Sequence, residues 1–347
     1  MKLGSREIGI NHPPYFIAEM SGNHNQSLDK ALQIVDAVAL SGANALKIQT
    51  YTPDTLTIDK SDGEFFIKDK SSLWEGNSLY NLYKVAMTPW EWHEPIMKRC
   101  IDRGLDFFST PFDETAVDFL EKLNVPFYKI ASFENNHLPL IKKVALTGKP
   151  LIVSTGMATL QEIADVVETA KNNGCKDLVL LKCTSSYPSK FEEANLLTIQ
   201  NLRNTFGLEI GLSDHSMGAT LPITSVALGA TVIEKHFIIN RSEGGVDSAF
   251  SMEAEEFSNM VKDTLNAWKS LGQVHYGMTE DEKKSKIFRR SIYIVKDICA
   301  GEVLNTENVR IIRPGLGLQP KYYDQVIGMK ARRDVKRGTA LSWDLLN

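Results

Sequence analysis

Two short segments of this chain, each finishing on a histidine, have the spacing of a metal site. Gly211-Leu212-Ser213-Asp214-His215-Ser216 and Thr231-Val232-Ile233-Glu234-Lys235-His236 both read as strands. Alternate side chains of a strand share a face. Ser213 and His215 therefore point one way on the first, and Glu234 and His236 one way on the second. Residues 219–228 between them are enough for one helix. A strand–helix–strand unit brings the two imidazoles together at the same end of neighbouring parallel strands, which suits a divalent cation. A lone histidine at a strand end is ordinarily a hydrogen-bonded polar group. The pairing, with Glu234 and Asp247 close in sequence, singles these two out.

Two lysines carry the second signal. Lys47 lies in Ala45-Leu46-Lys47-Ile48 and Lys129 in Phe127-Tyr128-Lys129-Ile130. Burying an ammonium without a partner is costly, so each is expected to meet an anion, either a ligand or an internal carboxylate such as Glu19 or Glu234. Gln49, Thr110, Ser132, Ser154, Thr184 and Ser213 fall at matching strand ends, and a helix start follows Ser154-Thr155-Gly156. Ammonium, hydroxyl and helix N-terminal N–H groups together describe a phosphate and carboxylate pocket. Beside a metal, such a pocket points to an anionic substrate reacting at a polarised carbonyl.

The frame must gather strand ends at one place. Apolar segments at 15–20, 43–50, 105–109, 126–132, 150–155, 178–183, 208–213 and 230–237 read as strands with helical or long connections between them. Ser27 caps a helix with Leu28, Ala31, Leu32, Val35 and Val38 on one face. Asp113 caps another, and Thr159-x-x-Glu162 is a capping box. Eight such units predict an α/β fold, a (β/α)8 TIM barrel with function at the C-terminal strand ends. An open doubly wound sheet would place G-x-G-x-x-G after its first strand, and Ser21-Gly22-Asn23 does not match. The connection 51–87 is unusually long and holds Phe65, Phe66, Trp74, Tyr80 and Tyr83, the composition of a lid or pocket wall. Thr88-Pro89-Trp90-Glu91 reads as a cap opening the next helix. The charge run TEDEKKSK at 279–286 reads as a solvated linker, after which the texture becomes short strands broken by glycines. The expected organisation is a barrel over 1–276, a linker over 277–287 and a small β-rich domain over 288–347.

The 347 residues are 43% hydrophobic and 24% charged with net charge −4, so nothing in the balance points to nucleic acid or a membrane surface. Apolar runs are too short to cross a bilayer, and Met1-Lys2-Leu3-Gly4-Ser5-Arg6 lacks a signal-peptide core. Four scattered cysteines without a Cys-x-x-Cys pair fit reduced thiols in a cytoplasm.

With these residues in view, the sequence resembles the sialic acid synthase family over nearly its whole length. The carrying motifs are Phe16-Ile17-Ala18-Glu19, Asn23-His24-Asn25, Leu46-Lys47-Ile48-Gln49-Thr50, Ser109-Thr110-Pro111-Phe112-Asp113, Lys129-Ile130-Ala131-Ser132, Ser154-Thr155-Gly156-Met157, Cys183-Thr184, Tyr187-Pro188, Gly211-Leu212-Ser213-Asp214-His215 and Ile233-Glu234-Lys235-His236-Phe237. Arg313-Pro314-Gly315 and Gly328 resemble the family's antifreeze-like (SAF) domain. The resemblance implies that phosphoenolpyruvate binds through Lys47, Thr110, Lys129, Ser132, Ser154 and Ser213. His215 and His236 would hold a divalent metal, usually manganese, with magnesium or cobalt as alternatives. C3 of phosphoenolpyruvate attacks the open-chain sugar aldehyde, water adds at C2, and phosphate leaves by C–O cleavage. Glu19 and Asp247 match residues near metal and sugar. Gln49, Thr184, Tyr187 and Glu234 are grouped with the substrate. The family's dimers swap the C-terminal domain, so Arg313 would reach the sugar bound by the partner chain.

Within the family the chain is most similar to pseudaminic acid synthases, through Met20-Ser21-Gly22-Asn23-His24-Asn25, Leu73-Trp74-Glu75-Gly76 and Thr88-Pro89-Trp90-Glu91-Trp92-His93. Ser185-Ser186 and Val246-Asp247-Ser248 depart from the sialic acid pattern where the sugar should sit. The expected sugar is a 2,4-diacetamido-2,4,6-trideoxy-altrose. The alternatives are a sibling synthase making N-acetylneuraminic or legionaminic acid, a Schiff-base aldolase using Lys129, and a non-enzymatic carbohydrate-binding protein.

Overall fold

Eight parallel strands alternate with helices and close on themselves, as the sequence predicts. The strands are β1 Tyr15–Glu19, β2 Ala45–Thr50, β3 Asp106–Pro111, β4 Tyr128–Ile130, β5 Leu151–Ser154, β6 Leu178–Cys183, β7 Glu209–Asp214 and β8 Val232–Ile238. The helices are α1 Leu28–Leu40, α2 His93–Asp102, α3 Glu114–Lys122, α4 Leu138–Ala145, α5 Leu160–Asn172, α6 Thr198–Phe206, α7 Thr220–Ala227 and α8 Ala254–Leu271. β8 pairs with both β7 and β1, with Glu234 opposite Ser213 and Ile17, and His236 opposite Glu19. This computed structural model describes residues 1–70 and 72–347, and divides the chain into Met1–Gly272 and Gln273–Asn347.

Strand alternation sorts the side chains into two cores. Phe16, Ala18, Leu46, Ile48, Tyr128, Ile130, Val153, Leu180 and Ile233 belong to the larger one, shared with helix residues such as Val35, Ile141 and Phe257. Tyr15, Ile17, Ala45, Phe108, Phe127, Ile152, Val179 and Val232 form a separate apolar plug with Leu3 and Ile8. Leu3 comes from an antiparallel pairing of Lys2–Leu3 with Arg6–Glu7. Carried two residues further, the plug's face becomes polar on most strands, Leu181 after Val179 being the apolar exception. Ile17 leads to Glu19, Ala45 to Lys47, Phe108 to Thr110, Phe127 to Lys129, Ile152 to Ser154, and Val232 to Glu234. Gly211 is the small residue in this inner layer. A Cβ there would collide with the Val232 carbonyl and the Leu181 side chain.

The caps form as the sequence predicts. Ser27 accepts from the Lys30 N–H, Asp113 from Thr115 and Ala116, and Thr159 and Glu162 make a reciprocal capping box. Two expectations differ. Thr88 does not cap a helix; its hydroxyl meets His24 Nε2 at 3.3 Å, and a 3-10 turn Trp90–Trp92 precedes α2. The charge run 279–286 is not plain linker. Thr279 and Glu282 close a capping box on a short exposed helix, Glu280–Ser285. A capping box supplies the local order that an apolar face was absent to provide.

The connection 51–87 contains two short helices, Pro53–Leu56 and Leu79–Ala86, and a 3-10 turn Gly63–Phe65. Its aromatics do different jobs. Trp74 packs on Tyr187 and donates to the Val246 carbonyl, whereas Tyr83 packs on Tyr51 and the Tyr80 hydroxyl donates to Asp54. In the second unit, β9 Ser291–Ile294 pairs antiparallel with β10 Val309–Ile312 over a core of Ile292, Ile294, Ile298, Leu304, Val326 and Leu341. Among the described residues, the four cysteines are free and no helix is long and apolar enough to cross a membrane.

Candidate active site

The polar layer above the plug is built around one carboxylate oxygen. Glu234 Oε1 accepts from Lys129 Nζ at 3.1 Å and from Ser213 Oγ at 3.0 Å, and lies 3.2 Å from Lys47 Nζ. Lys47 also pairs with Glu19 Oε2 at 2.8 Å. All of these side chains are buried. Both strand lysines thus have internal carboxylate partners, one of the two outcomes their burial allowed. Each ammonium has three N–H donors, so these contacts do not exhaust it toward a ligand.

Electrostatics follow from this crowding. Burial pushes the Glu234 carboxyl up, but Lys129 and Lys47 outweigh it and hold the group far below the usual carboxylate range. Burial pushes Lys47 down to about 7, against the pull of Glu234 and helped by Lys129. Glu134, on the 3-10 turn Ser132–Glu134 after β4, is pushed up to about 7 by burial, against Lys129 and Lys47. Its Oε2 is buried with no hydrogen-bond partner among the described residues. Sequence reasoning did not find Glu134, because strand alternation ends at β4 and predicts no direction for the turn beyond.

Hydroxyls line the same layer. Thr110 Oγ1 and Ser154 Oγ are buried without a hydrogen-bond partner among the described residues, and Ser132 Oγ accepts from the Gly156 N–H at 3.2 Å. Gly156 is small for a reason: a Cβ there would run into the Ser132 and Ser185 hydroxyls. Thr184, at the end of β6, is tied to its neighbours. Its hydroxyl accepts from Lys182 Nζ at 2.8 Å and donates to the Glu193 carbonyl, and its own carbonyl meets His215 Nδ1 at 3.0 Å.

The two imidazoles come together at the mouth. His215 lies one residue beyond β7 and His236 inside β8, with ring centroids 5.4 Å apart. Phe250 packs on both, and Tyr187 lies 4.5 Å from the His215 ring. Burial, with His215 adding to it, holds the His236 imidazole well below its usual range, and its buried Nδ1 has no hydrogen-bond partner among the described residues. His215 engages the Thr184 carbonyl through Nδ1, which leaves Nε2 for a cation. Burial opposes protonation of His215, but Cys183, 3.8 Å from Nδ1, raises it, and burial of Cys183 is in turn outweighed by His215, which brings that thiol to about 7. No group of three or more His, Cys, Asp and Glu side chains among the described residues is arranged as a metal site. The donor set is two imidazoles, which fits a cation whose remaining positions are filled by water or substrate oxygen.

The last carboxylates are linked through Ser21, to which the sequence assigned no role of its own within the Met20–Asn25 motif. Gln49 Nε2 donates to Glu19 Oε1 at 3.2 Å and to Ser21 Oγ at 3.0 Å, and the Ser21 hydroxyl donates to Asp247 Oδ2. Burial raises the Asp247 carboxyl, while the Ser21 hydroxyl, the Gly22 N–H and His215 act against it. On the far side of the barrel wall, Lys235 and Asp214 form a fully buried ion pair at 2.6 Å, each one residue from an imidazole. Arg313 is exposed on the C-terminal unit.

Comparison with known proteins accords with this geometry. Residues 34–276 match the NeuB family and residues 289–347 the SAF domain. The pseudaminic acid synthase of Campylobacter jejuni is 45% identical over 341 residues, covering 98% of each chain. The N,N'-diacetyllegionaminic acid synthase of Legionella pneumophila is 35% identical, covering 98% of this chain and 97% of its own. The crystal structure of N-acetylneuraminic acid synthetase from Leptospira borgpetersenii superposes with a TM-score of 0.73 at 32% identity, covering 82% of this chain and 94% of that one.

Proposed function

The chain belongs to the NeuB family, and from that premise we propose that it condenses phosphoenolpyruvate with 2,4-diacetamido-2,4,6-trideoxy-altrose to give pseudaminic acid and inorganic phosphate. The supporting observation is the composition of the inner layer. Two buried lysines share the inner layer with buried hydroxyls, two of which, Thr110 and Ser154, have no partner among the described residues, beneath a pair of imidazoles at one mouth. Lys47 and Lys129 supply charge to the phosphate and carboxylate. Thr110, Ser132, Ser154 and Ser213 supply hydrogen bonds that fix the anion's orientation.

His215 and His236 would hold the divalent cation, most simply manganese, and a cation there supplies Lewis-acid polarisation of the sugar aldehyde. The chain's own residues do the rest. The anion pocket presents C3 of phosphoenolpyruvate toward the mouth, where it forms the new C–C bond to the sugar's C1. Water adds at C2, one of its protons ends on the former aldehyde oxygen, and the C2–O bond of the phosphate ester breaks to leave a C2 ketone, the phosphate departing into the lysine pocket with the other proton. Glu134, with its carboxyl near neutrality, can take and return a proton at pH 7. Asp247, Gln49 and Tyr187 meet the sugar, and Trp74 braces Tyr187 from the long connection. The enzyme works in the cytoplasm as a homodimer with swapped C-terminal domains, each Arg313 serving the partner's sugar.

The test is phosphate release by purified protein with phosphoenolpyruvate, manganese and three sugars: the altrose, N-acetylmannosamine and the precursor of legionaminic acid. Release with the altrose above the others is expected. Preference for another sugar would move the chain to a sibling synthase, a reading the Legionella relative supports, and no release with any would overturn the proposal. His236→Ala is expected to abolish both turnover and calorimetric manganese binding while phosphoenolpyruvate still binds.

A further inference from the structure

Ser21 has a backbone conformation that serine rarely adopts. Its φ is +46°, in the left-handed region where a Cβ is disfavoured. The residue is buried, so solvent does not explain the geometry. What the conformation achieves is two simultaneous contacts. The Ser21 N–H donates back to Glu19 Oε1 at 3.1 Å, two residues earlier, and its hydroxyl donates forward to Asp247 Oδ2. The same hydroxyl accepts from Gln49 at 3.0 Å, which fixes the direction of its own proton. Glu19 is also the partner of Lys47. Ser21 therefore joins the carboxylate behind the anion pocket to the carboxylate at the mouth.

We propose that Ser21 is a positioning residue for the sugar, acting through Asp247 and Gln49, and that its strained backbone is retained because only that conformation aims both donors. This rests on the condensation reading above. Asp247 is the buried carboxylate of this group with few other partners: besides Ser21 it has the Gly22 N–H and the charge of His215. Without the hydroxyl Asp247 is held only by the Gly22 N–H, and Gln49 loses one of its two acceptors and keeps Glu19. Backbone strain at a site that the surroundings over-determine is the expected signature of such a residue.

Two variants separate strain from function. Ser21→Ala removes the hydroxyl and keeps the disfavoured φ; Ser21→Gly removes both. If Ser21 positions the sugar site, both variants lose about 10- to 100-fold in kcat/KM for the sugar, the range for a lost hydrogen bond to a charged group. KM for phosphoenolpyruvate changes less than about threefold. Melting temperature moves the other way for one of them: Ser21→Gly melts about 2 °C or more above Ser21→Ala. A merely structural serine would make activity follow melting temperature, so a Ser21→Gly protein with wild-type kinetics for both substrates overturns the inference. Wild-type protein that turns over none of the sugars overturns the condensation reading instead, and the positioning role with it.

Discussion

Replacing Lys235 with Met should destabilise the barrel unit by about 3–5 kcal/mol, the cost of removing one partner from a buried ion pair. The size follows from the surroundings. Both side chains of the Lys235–Asp214 pair are 0% exposed, so neither charge is eased by water. Lys235 Nζ also donates to the Ser216 carbonyl at 2.5 Å. After the change, Asp214 keeps only the Ser216 N–H at 2.8 Å. The measurement is urea unfolding followed by tryptophan fluorescence in a Trp343→Phe background, so that the remaining tryptophans, Trp74, Trp90, Trp92 and Trp268, all report on Met1–Gly272. At an m-value of about 3 kcal/mol/M the midpoint should fall by roughly 1–1.7 M.

The double variant Asp214→Leu/Lys235→Met decides what the pair is for. Apolar replacement of both partners is often neutral or stabilising, so its midpoint should return to within about 0.5 M of wild type. The pair nonetheless ties the turn at 214–216 to β8, one residue from each imidazole. The stable double variant should therefore bind manganese more weakly than wild type by calorimetry. A Lys235→Met midpoint equal to wild type would refute the energetic reasoning. Wild-type manganese affinity in the double variant would place control of the imidazoles elsewhere.

Two further outcomes are expected. Glu134 has its folded pKa raised from 4.5 to about 7, so between those values the folded state binds more protons than the unfolded one and stability falls as pH rises; above 7 the full penalty, up to about 3 kcal/mol, is present. Glu134→Gln should therefore be more stable than wild type in urea at pH 8 and close to it at pH 4.5, and an equal difference at both pH values would remove the buried-carboxylate explanation. If, as proposed, Arg313 serves the partner's sugar in a swapped dimer, Arg313→Ala and His236→Ala should each lose activity alone yet regain part of the phosphate release when co-expressed, since such a dimer would contain one intact barrel served by one intact arginine; no recovery would favour service within a single chain.

The barrel was legible because its signals are local and repeated. Alternation along each strand puts the plug, the polar layer and the histidines on one inner face, and the observed pairing of His236 with Glu19 and of Glu234 with Ser213 follows from closing that pattern. Residues on the turns beyond the strands were less legible. Glu134 and Ser21 sit on turns, where no period dictates direction, and the hydrogen bond from Lys182 Nζ to the Thr184 hydroxyl is not given by alternation either. Lys235 carried the same signal as Lys47 and Lys129, a lysine in an apolar strand. It faces outward, and the carboxylate that meets it, Asp214, lies on the neighbouring strand.

The inner layer also explains why the lysines are paired with carboxylates when their proposed task is to bind an anion. An unpaired ammonium at this depth would be neutralised or would unfold its strand. Lys47 is already down to about 7 with Glu234 beside it. Glu234 answers this by spending one oxygen on three donors, Lys47, Lys129 and Ser213, while Oε2 remains without a hydrogen-bond partner. Lys129 meets Glu234 alone and Lys47 adds only Glu19, so each ammonium keeps N–H capacity for an anion, and the hydroxyls of Thr110 and Ser154 have no partner among the described residues. A substrate phosphate entering there adds negative charge beside Lys47 and favours its protonated form, so the ammonium becomes more firmly charged as the anion arrives. The carboxylates keep the lysines buried without consuming the donors that the proposed condensation requires.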